Sequence, residues 1–547
     1  MGDIPEISFE VPKHKSFGDL STNFAMALAG QEKKNPREAA KLIIENLEFD
    51  KTAVSKIEIA GPGFINFFLS EGHLFDVMLK VDGNPDFAAI SGGGKKINIE
   101  FVSANPVGPL NVVNARAAAV GNCLANLLKN AGFSVIKEFY INDVGNQTNI
   151  FGKSINLRYE ELFGKKIVFP EDCYAGEYVK EIADRIKLED GDKYLAFPEE
   201  QRVFIFKQKG LAWMVLDQGK SLSSYGVEFD LWYPERLLHA PEEKKLPDLP
   251  ILKRYPVNNK VKEAAAILAE KGLLKEEDGA VWFMSTAVNA GDDKDRVLIK
   301  KDGELTYLSA DIAYHKEKFD RADKLINIWG PDHHGYIPRM RAALVALGHK
   351  PEDFSVLIAQ QVNLIKNGQP FKMSKRKGSF ITMDELVEEV GPDAAKYFFI
   401  RRSLESHLDF DIDLAKKQSD ENPVFYVQYA HARICNVIEF AKTSGVALKP
   451  AKEVDLPLLK EPEELDILKK INTLSDTLEY AALNYEPHHL PKFLEELAGL
   501  YHSFYAKHRV VTENKPLSEA RLVLCSVVRK VLKKGLDLLG VSAPTKM

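Results

Sequence analysis

The chain has 547 residues and a formal charge of −6, from 73 Lys and Arg against 79 Asp and Glu. At ~100–200 residues per domain this length predicts roughly three or four domains, and 45% hydrophobic with 28% charged residues excludes a disordered chain. The mild acidity argues against a generic nucleic-acid coat, although a local basic face can still meet RNA. No run of ~18 uncharged apolar residues is present, so no transmembrane helix and no membrane partner is expected. The start, MGDIPEISFE, is acidic and lacks the basic–apolar–small order of a secretion signal. Cys123, Cys173, Cys435 and Cys525 are too scattered for a CxxC metal pair or a disulfide framework, which points to the reducing cytoplasm.

Residues 1–80 mix strand-like SFEV and IEIAGPGFINFFLS with helix-like STNFAMALAG, as in a small α+β unit. VDGNPDF through SGGGKK, within 81–96, reads as a turn-rich linker. From Ile97, β-like runs alternate with helical ones: INIEFVSA, a long helix, FSVIKEFYIN, then KLINIWG and SVLIAQQVNLI. That alternation predicts a parallel-sheet α/β domain over 97–390. The more charged, helical stretch at about 152–280 reads as an insertion between two halves of the sheet. From about Pro392 the pattern is helical to the end, apart from a polar loop at about 446–463, so 391–547 is expected to be an all-α bundle.

Two segments carry chemistry. INIEFVSANPVGPL is a strand running into a Pro- and Gly-bearing turn. The helix after it shows Ala117, Val120, Gly121, Leu124, Leu127, Leu128 and Ala131 along one face. A strand, a turn and a helix N-terminus present free N–H groups and a positive dipole end, a natural phosphate site. Neither GxxxxGK[ST] nor GxGxxG is present, so the P-loop and standard dinucleotide readings lack support. Later, FKMSKRKGSF at 371–380 places Lys372, Lys375, Arg376 and Lys377 just before a helix capped by Thr382 and Glu385. Four cations in a Ser/Gly-bearing loop suit a polyphosphate; a solvated basic loop is the plainer alternative.

NPVGPL…ARAAAVGN, EFYINDVGNQ, WGPDHHGY, KMSKRKG and DENPVFYVQYAHAR follow one another in this order. Together they resemble the class I aminoacyl-tRNA synthetases, and more specifically the arginyl-tRNA synthetases of bacterial type. The resemblance runs from GDLSTNFAMALA near the start to LGVSAPTKM at the end. Members usually begin with a further helix before the DIPEI segment, so the N-terminal unit here is expected to lack its first helix.

The resemblance implies a Rossmann-like catalytic domain that joins arginine to tRNA-Arg in two steps, using ATP with Mg²⁺ as co-substrate. It implies no protein-bound metal site, and a monomer. Tyr307 and Asp311, four apart on one helical face, match the family's guanidinium-binding pair. Glu235 matches a further acidic contact, and Ser103, Asn105 and Gln360 match residues that hold the α-amino and carboxylate end. A planar guanidinium calls for such carboxylates and a phenol in fork geometry. Gly108 falls in the ATP-side turn, and Gly330, Asp332, His333 and His334 match the element against ribose and adenine. Adjacent histidines also suggest a metal, but their side chains diverge and no third ligand stands near in sequence. Lys372, Met373, Ser374 and Lys375 match the phosphate-binding loop, with Lys372 and Lys375 catalytic. The N-terminal domain would meet the tRNA elbow through Phe64 and Asn66, and the C-terminal domain the anticodon through Tyr426, Gln428, Tyr429 and Arg433.

One motif departs from the family. Where HIGH or HVGH is expected, the chain reads Asn111-Val112-Val113-Asn114. Asn111 and Asn114 take the two catalytic, ATP-binding histidine positions, and Val113 stands where a glycine lets adenine lie flat. An amide cannot bring the charge of a protonated imidazole, and a β-branched side chain overpacks the site. Adenylation is therefore expected to be crippled. The competing reading is a non-catalytic arginine- or tRNA-binding protein on the same fold.

Overall fold

A computed structural model describes residues 5–12, 14–91, 93–238, 260–371 and 381–547. The chain opens with β1 (Leu20–Thr22), α1 (Phe24–Glu32), α2 (Pro36–Glu45), β2 (Val54–Ala60), β3 (Phe64–Leu69) and α3 (Glu71–Gly83). The three strands form an antiparallel sheet in the order β1-β3-β2. Asn35 caps α2 through its side chain and Pro36 starts the helix, a position where the missing N–H costs nothing. α3 runs on through Gly83, and Phe87 and Ala88 are buried in the main core, so 81–96 is not a free linker.

The central unit begins with β4 (Lys96–Glu100), α4 (Val112–Asn130) and β5 (Ser134–Ile141), then α5 (Asn146–Glu161), α6 (Glu177–Asp190) and α7 (Glu199–Ser224). β6 (Leu231–Pro234) and α8 (Lys260–Glu270) follow, and β7 (Leu274–Glu277), β8 (Ala280–Phe283) and β9 (Arg296–Ile299) make a small antiparallel sheet. α9 (Tyr307–Phe319), β10 (Lys324–Trp329), α10 (Ile337–Leu347) and β11 (Phe354–Ile358) complete the main layer. Its strand order is β11-β10-β4-β5-β6, with every neighbour parallel. Because β6 pairs with β5, the 152–280 stretch is not one insertion. The three helices α5–α7 share a core of their own around Phe151, Tyr159 and Phe206, and the chain returns to the sheet before leaving again.

SVLIAQQVNLI breaks in two: after β11 the chain leaves the sheet, and β12 (Val362–Lys366) pairs with β13 (Gln369–Pro370) and β14 (Leu408–Asp411). The helices α11 (Met383–Val390), α12 (Pro392–Ile400) and α13 (Ile412–Lys416) come from the same stretch of chain, and α12 and α13 pack against that small sheet. β14 corrects the expectation of an uninterrupted helical pattern beyond Pro392. α14 (Pro423–Thr443), α15 (Pro462–Asn472), α16 (Leu474–Leu483), α17 (His489–Lys507) and α18 (Lys515–Leu539) then form the C-terminal bundle.

α4 lies within the main core. The face drawn from its sequence is buried, but so are Ala115, Ala118, Cys123 and Ala125, so the helix is enclosed on all sides. Gly121 permits this: a Cβ there would stand 2.4 Å from the Phe101 ring at the end of β4. The fully buried Arg116 donates from Nη1 to the carbonyls of Gln360 and Ser406 and from Nη2 to that of Ser403, tying α4 to the β11–β14 region.

Candidate functional site

At the carboxyl ends of β4, β5 and β10, where parallel α/β sheets place their ligands, lies a cavity of about 480 Å³. Of the residues matched to arginine, Ser103, Asn105, Glu235, Tyr307 and Asp311 line it, with Gly330 and His333 from the ATP-matched set. Val102 and Ser103 have φ of 70° and 40°. A β-branched residue there is strained, and the bend points the Ser103 hydroxyl back under the turn. It donates to Glu100 Oε1 at 2.9 Å and accepts from the Tyr140 N–H at 3.1 Å. Asn105 is exposed and donates from Nδ2 to Gln147 Oε1 at 2.6 Å, which leaves its side-chain oxygen Oδ1 for a cationic donor. Tyr307, 71% exposed, stands at the rim, and Asp311 lies one turn inward on α9.

The floor of the cavity is acidic and fully connected. Tyr336 donates its hydroxyl to Asp311 Oδ2. Burial, reinforced by the Glu235 and Glu100 carboxylates, raises the Asp311 pKa to about 7. Behind it, Asn327 Nδ2 donates to His315 Nε2, so Nδ1 carries the proton and donates to the Asp311 carbonyl at 2.8 Å. Burial holds His315 neutral, with its pKa lowered to about 3. Lys318, wholly buried, donates to Asn327 Oδ1 at 2.6 Å and to Glu100 Oε2 at 2.8 Å. An unbroken chain of hydrogen bonds thus runs from Asp311 through His315, Asn327, Lys318 and Glu100 to Ser103. Glu100, Tyr140, Lys318 and Tyr336 escaped the sequence reading. The polar residues Asn98 and Glu100 inside the strand INIEF were the available signal, since buried parallel strands read as continuous apolar runs.

The second cavity, about 640 Å³, is lined by Asn111, Val113, Gln361, Val362, Phe371, Ile381 and Asp409 among others. Asn111 is the N-cap of α4: its Oδ1 accepts from the Asn114 N–H at 3.0 Å, and Asn114 Oδ1 accepts from the Asn111 N–H at 2.9 Å. Asn111 and Asn114 form a reciprocal capping box, and two of the N–H groups at this helix end are occupied by side chains. The exit from the lysine loop lies against it. The Met383 N–H donates to the Leu110 carbonyl at 2.8 Å, Asn111 bridges Thr382, and Thr382 and Glu385 form the capping box read from sequence. Lys372, Met373, Ser374 and Lys375 lie outside the described residues. Gly108 sits in the turn between the cavities, while Asp332 and His334 are exposed and line neither. Gln360 also lines neither; its carbonyl accepts from Arg116 and its N–H donates to the Leu404 carbonyl, so it anchors the crossing from β11 to β12.

Two RNA-matched residues are turned inward. Asn66 is 3% exposed and accepts the hydroxyl of Ser21, its partner on β1, at 2.6 Å; Phe64 on the same strand is half-buried. Gln428 is buried, donating to Asp393 Oδ2 and the Ser542 carbonyl, each at 2.9 Å. The helical period explains it: 424, 427, 428 and 431 form the inner face of α14, and 426, 429 and 433 its outer one. On that outer face the Arg433 guanidinium lies 4.5 Å from the Tyr429 ring and 5.0 Å from that of Tyr505, and Nη1 meets His502 Nδ1 at 3.1 Å. Tyr426 packs on His502 with centroids 4.6 Å apart. Among the described residues, side chains able to share a metal ion converge at Glu486, His488 and His489 and at Glu461, Glu463 and His508, all in the C-terminal region.

Residues 2–69 match the family described as Arginyl tRNA synthetase N terminal domain. Residues 255–400 match tRNA synthetases class I (R), catalytic domain, and 427–547 match the DALR anticodon binding domain. The arginine–tRNA ligase of Syntrophotalea carbinolica is 45% identical over 100% of this chain and 96% of its own length. That of Carboxydothermus hydrogenoformans is 46% identical over 99% of this chain and 95% of its own. The arginyl-tRNA synthetase structure of Thermus thermophilus shares the fold, with a TM-score of 0.77 at 21% identity, covering 100% of this chain and 97% of its own.

Proposed function

The chain belongs to the arginyl-tRNA synthetase family, a group of class I arginine–tRNA ligases that use ATP, and from that premise we propose how its own residues carry and limit the reaction. The α-carboxylate of arginine attacks the α-phosphate of ATP, releasing pyrophosphate, and the terminal ribose of tRNA-Arg then takes the arginyl group. Asp311, Glu235 and Tyr307 receive the guanidinium, and Ser103 and Asn105 the α-amino end. The cavity that gathers these five side chains is the observation that carries this assignment. Gly330 and His333 at its rim border the nucleoside, and Lys372 and Lys375 act on the phosphates.

Mg²⁺ would arrive on the triphosphate and neutralise its charge. Among the described residues the one carboxylate lining the ATP-side cavity, Asp409, already accepts from Asn363 Nδ2 at 2.9 Å. The same reading gives residues 1–80 to the tRNA elbow through Phe64. It gives 391–547 to the anticodon through Tyr426, Tyr429 and Arg433, with a monomer working in the cytoplasm.

Adenylation is the weakened step. Asn111 and Asn114 direct their carbonyl oxygens at the backbone of α4, where the phosphates would otherwise meet free N–H groups and imidazoles. Losing one transition-state donor costs ~2.7–4 kcal/mol, roughly 10²–10³ in rate. Arginylation of tRNA-Arg by the unmodified chain, beside Asn111→His with Val113→Gly and Asn114→His, tests this. The restored variant is expected to charge at least ~10³-fold faster. Equal rates would overturn the weight placed on the 111–114 segment.

A further inference from the structure

The turn Asn105–Gly108 carries one proposed arginine contact and one proposed ATP contact, yet little of what holds it comes from the sheet that delivers it. Its anchors come from the three helices between β5 and β6. Val107 is buried in the core that α5–α7 share, and the Tyr178 hydroxyl on α6 donates to the Val107 carbonyl at 2.9 Å. Gln147 on α5 accepts the Asn105 side-chain amide. Gln218 on α7, 1% exposed, donates from Nε2 to the carbonyls of Asn105 and Gly108, at 3.2 and 2.9 Å. One turn further along α7, the Ser221 hydroxyl donates to Asp384 Oδ2 at 2.7 Å, in the first turn of the helix that leaves the lysine loop.

Resting on the arginine-site assignment above, we propose that Gln218 is a positioning residue for the reaction, which pins the Asn105–Gly108 turn so that the arginine and ATP contacts keep their spacing. Ser221 extends the same strut to the exit of the lysine loop. A structural role does not account for the glutamine. Its Oε1 is buried with no hydrogen-bond partner, an arrangement that costs stability. A methionine of similar length would fill the space without that cost, so what the amide adds is its pair of donors to the turn.

The test compares Gln218→Met and Ser221→Ala in two backgrounds. In the unmodified chain, titration calorimetry with arginine is expected to show the dissociation constant rising roughly tenfold for Gln218→Met. In the signature-restored chain, kcat/KM for arginylation is expected to fall ~10²-fold for Gln218→Met, as for any small misplacement of reacting groups. Ser221→Ala is expected to raise mainly the KM for ATP. The melting temperature of Gln218→Met should stay level or rise. A lowered melting temperature with unchanged arginine affinity would overturn the proposal, because Gln218 would then serve packing alone. If Gln218→Met fails to fold, Tyr178→Phe removes a donor from the same turn and should weaken arginine binding; unchanged binding overturns the proposal in that form. If the restored chain does not charge tRNA, the reading of the 111–114 segment fails, and the arginine titration still decides the role of Gln218.

Discussion

The two cavities are built on different principles. The proposed arginine cavity draws on β4, β5, the turn after β6, α9, β10 and the turn that follows it, and a buried hydrogen-bond chain runs beneath it from the Asp311 carbonyl to Ser103. The proposed ATP-side cavity is lined mainly from β12 to β14, and α4 contributes to it only through its N-terminus, at Asn111, Val112 and Val113. A site spread over several elements changes only with loss of stability, because removing one member orphans its buried neighbours. A helix N-terminus can be rewritten within one turn. Asparagine is among the best N-caps, so on the proposed reading the residue at 111 favours the fold at the expense of the chemistry.

That contrast can be broken at its strongest point first. Lys318→Met leaves Glu100 buried without its cation, and is expected to cost ~3–5 kcal/mol in urea unfolding and to abolish arginine binding with it. A loss below ~1 kcal/mol would mean the buried chain does not couple the two ends of the cavity. Next, Asp311→Asn is expected to weaken arginine binding by ~1.5–3 kcal/mol, the worth of a hydrogen bond to a charged group.

The pH dependence sharpens the same point. Burial raises the Asp311 pKa to about 7, so below that pH arginine must displace a proton, and affinity should climb as pH rises through 7 before levelling. For folding, the sign is opposite. A carboxyl with a raised pKa contributes its stability fully below about 3.8 and loses it as pH rises through about 7. Asp311→Asn should flatten both profiles.

The smallest effect concerns the other cavity. Asn111→His with Val113→Gly and Asn114→His removes both halves of the capping box and adds a helix glycine. It should lower stability by ~1–3 kcal/mol even as charging improves. A restored variant as stable as its parent would show that the capping box contributes nothing.

Some of this was legible in one dimension. The alternation after Ile97 predicts the parallel sheet, and the Thr382–Glu385 spacing predicts the cap that the structure shows. Tyr307 and Asp311 fall on one face of α9 and reach one cavity. Other expectations failed for local reasons. Gln428 lies one position from the outer face of α14, and a single step along a helix turns a side chain by about 100°. Asn66 lies on a strand whose apolar residues are spread over both faces, so alternation could not say which face was wet. β6 was hidden because a four-residue edge strand carries too short a period to stand out from the helices around it.

By itself the sequence determined the class of the fold, the order of its units and the departure at 111–114, because these rest on period, order and residue identity. Only the tertiary structure decided that Asn111 and Asn114 bond each other's backbone, that Lys318 and Glu100 carry a buried connection beneath the arginine cavity, and that α7 holds the turn of Asn105. Each of these joins groups whose pairing depends on distance and direction in space. Glu100 and Lys318 are 218 positions apart in the chain, and no periodicity registers a contact of that separation.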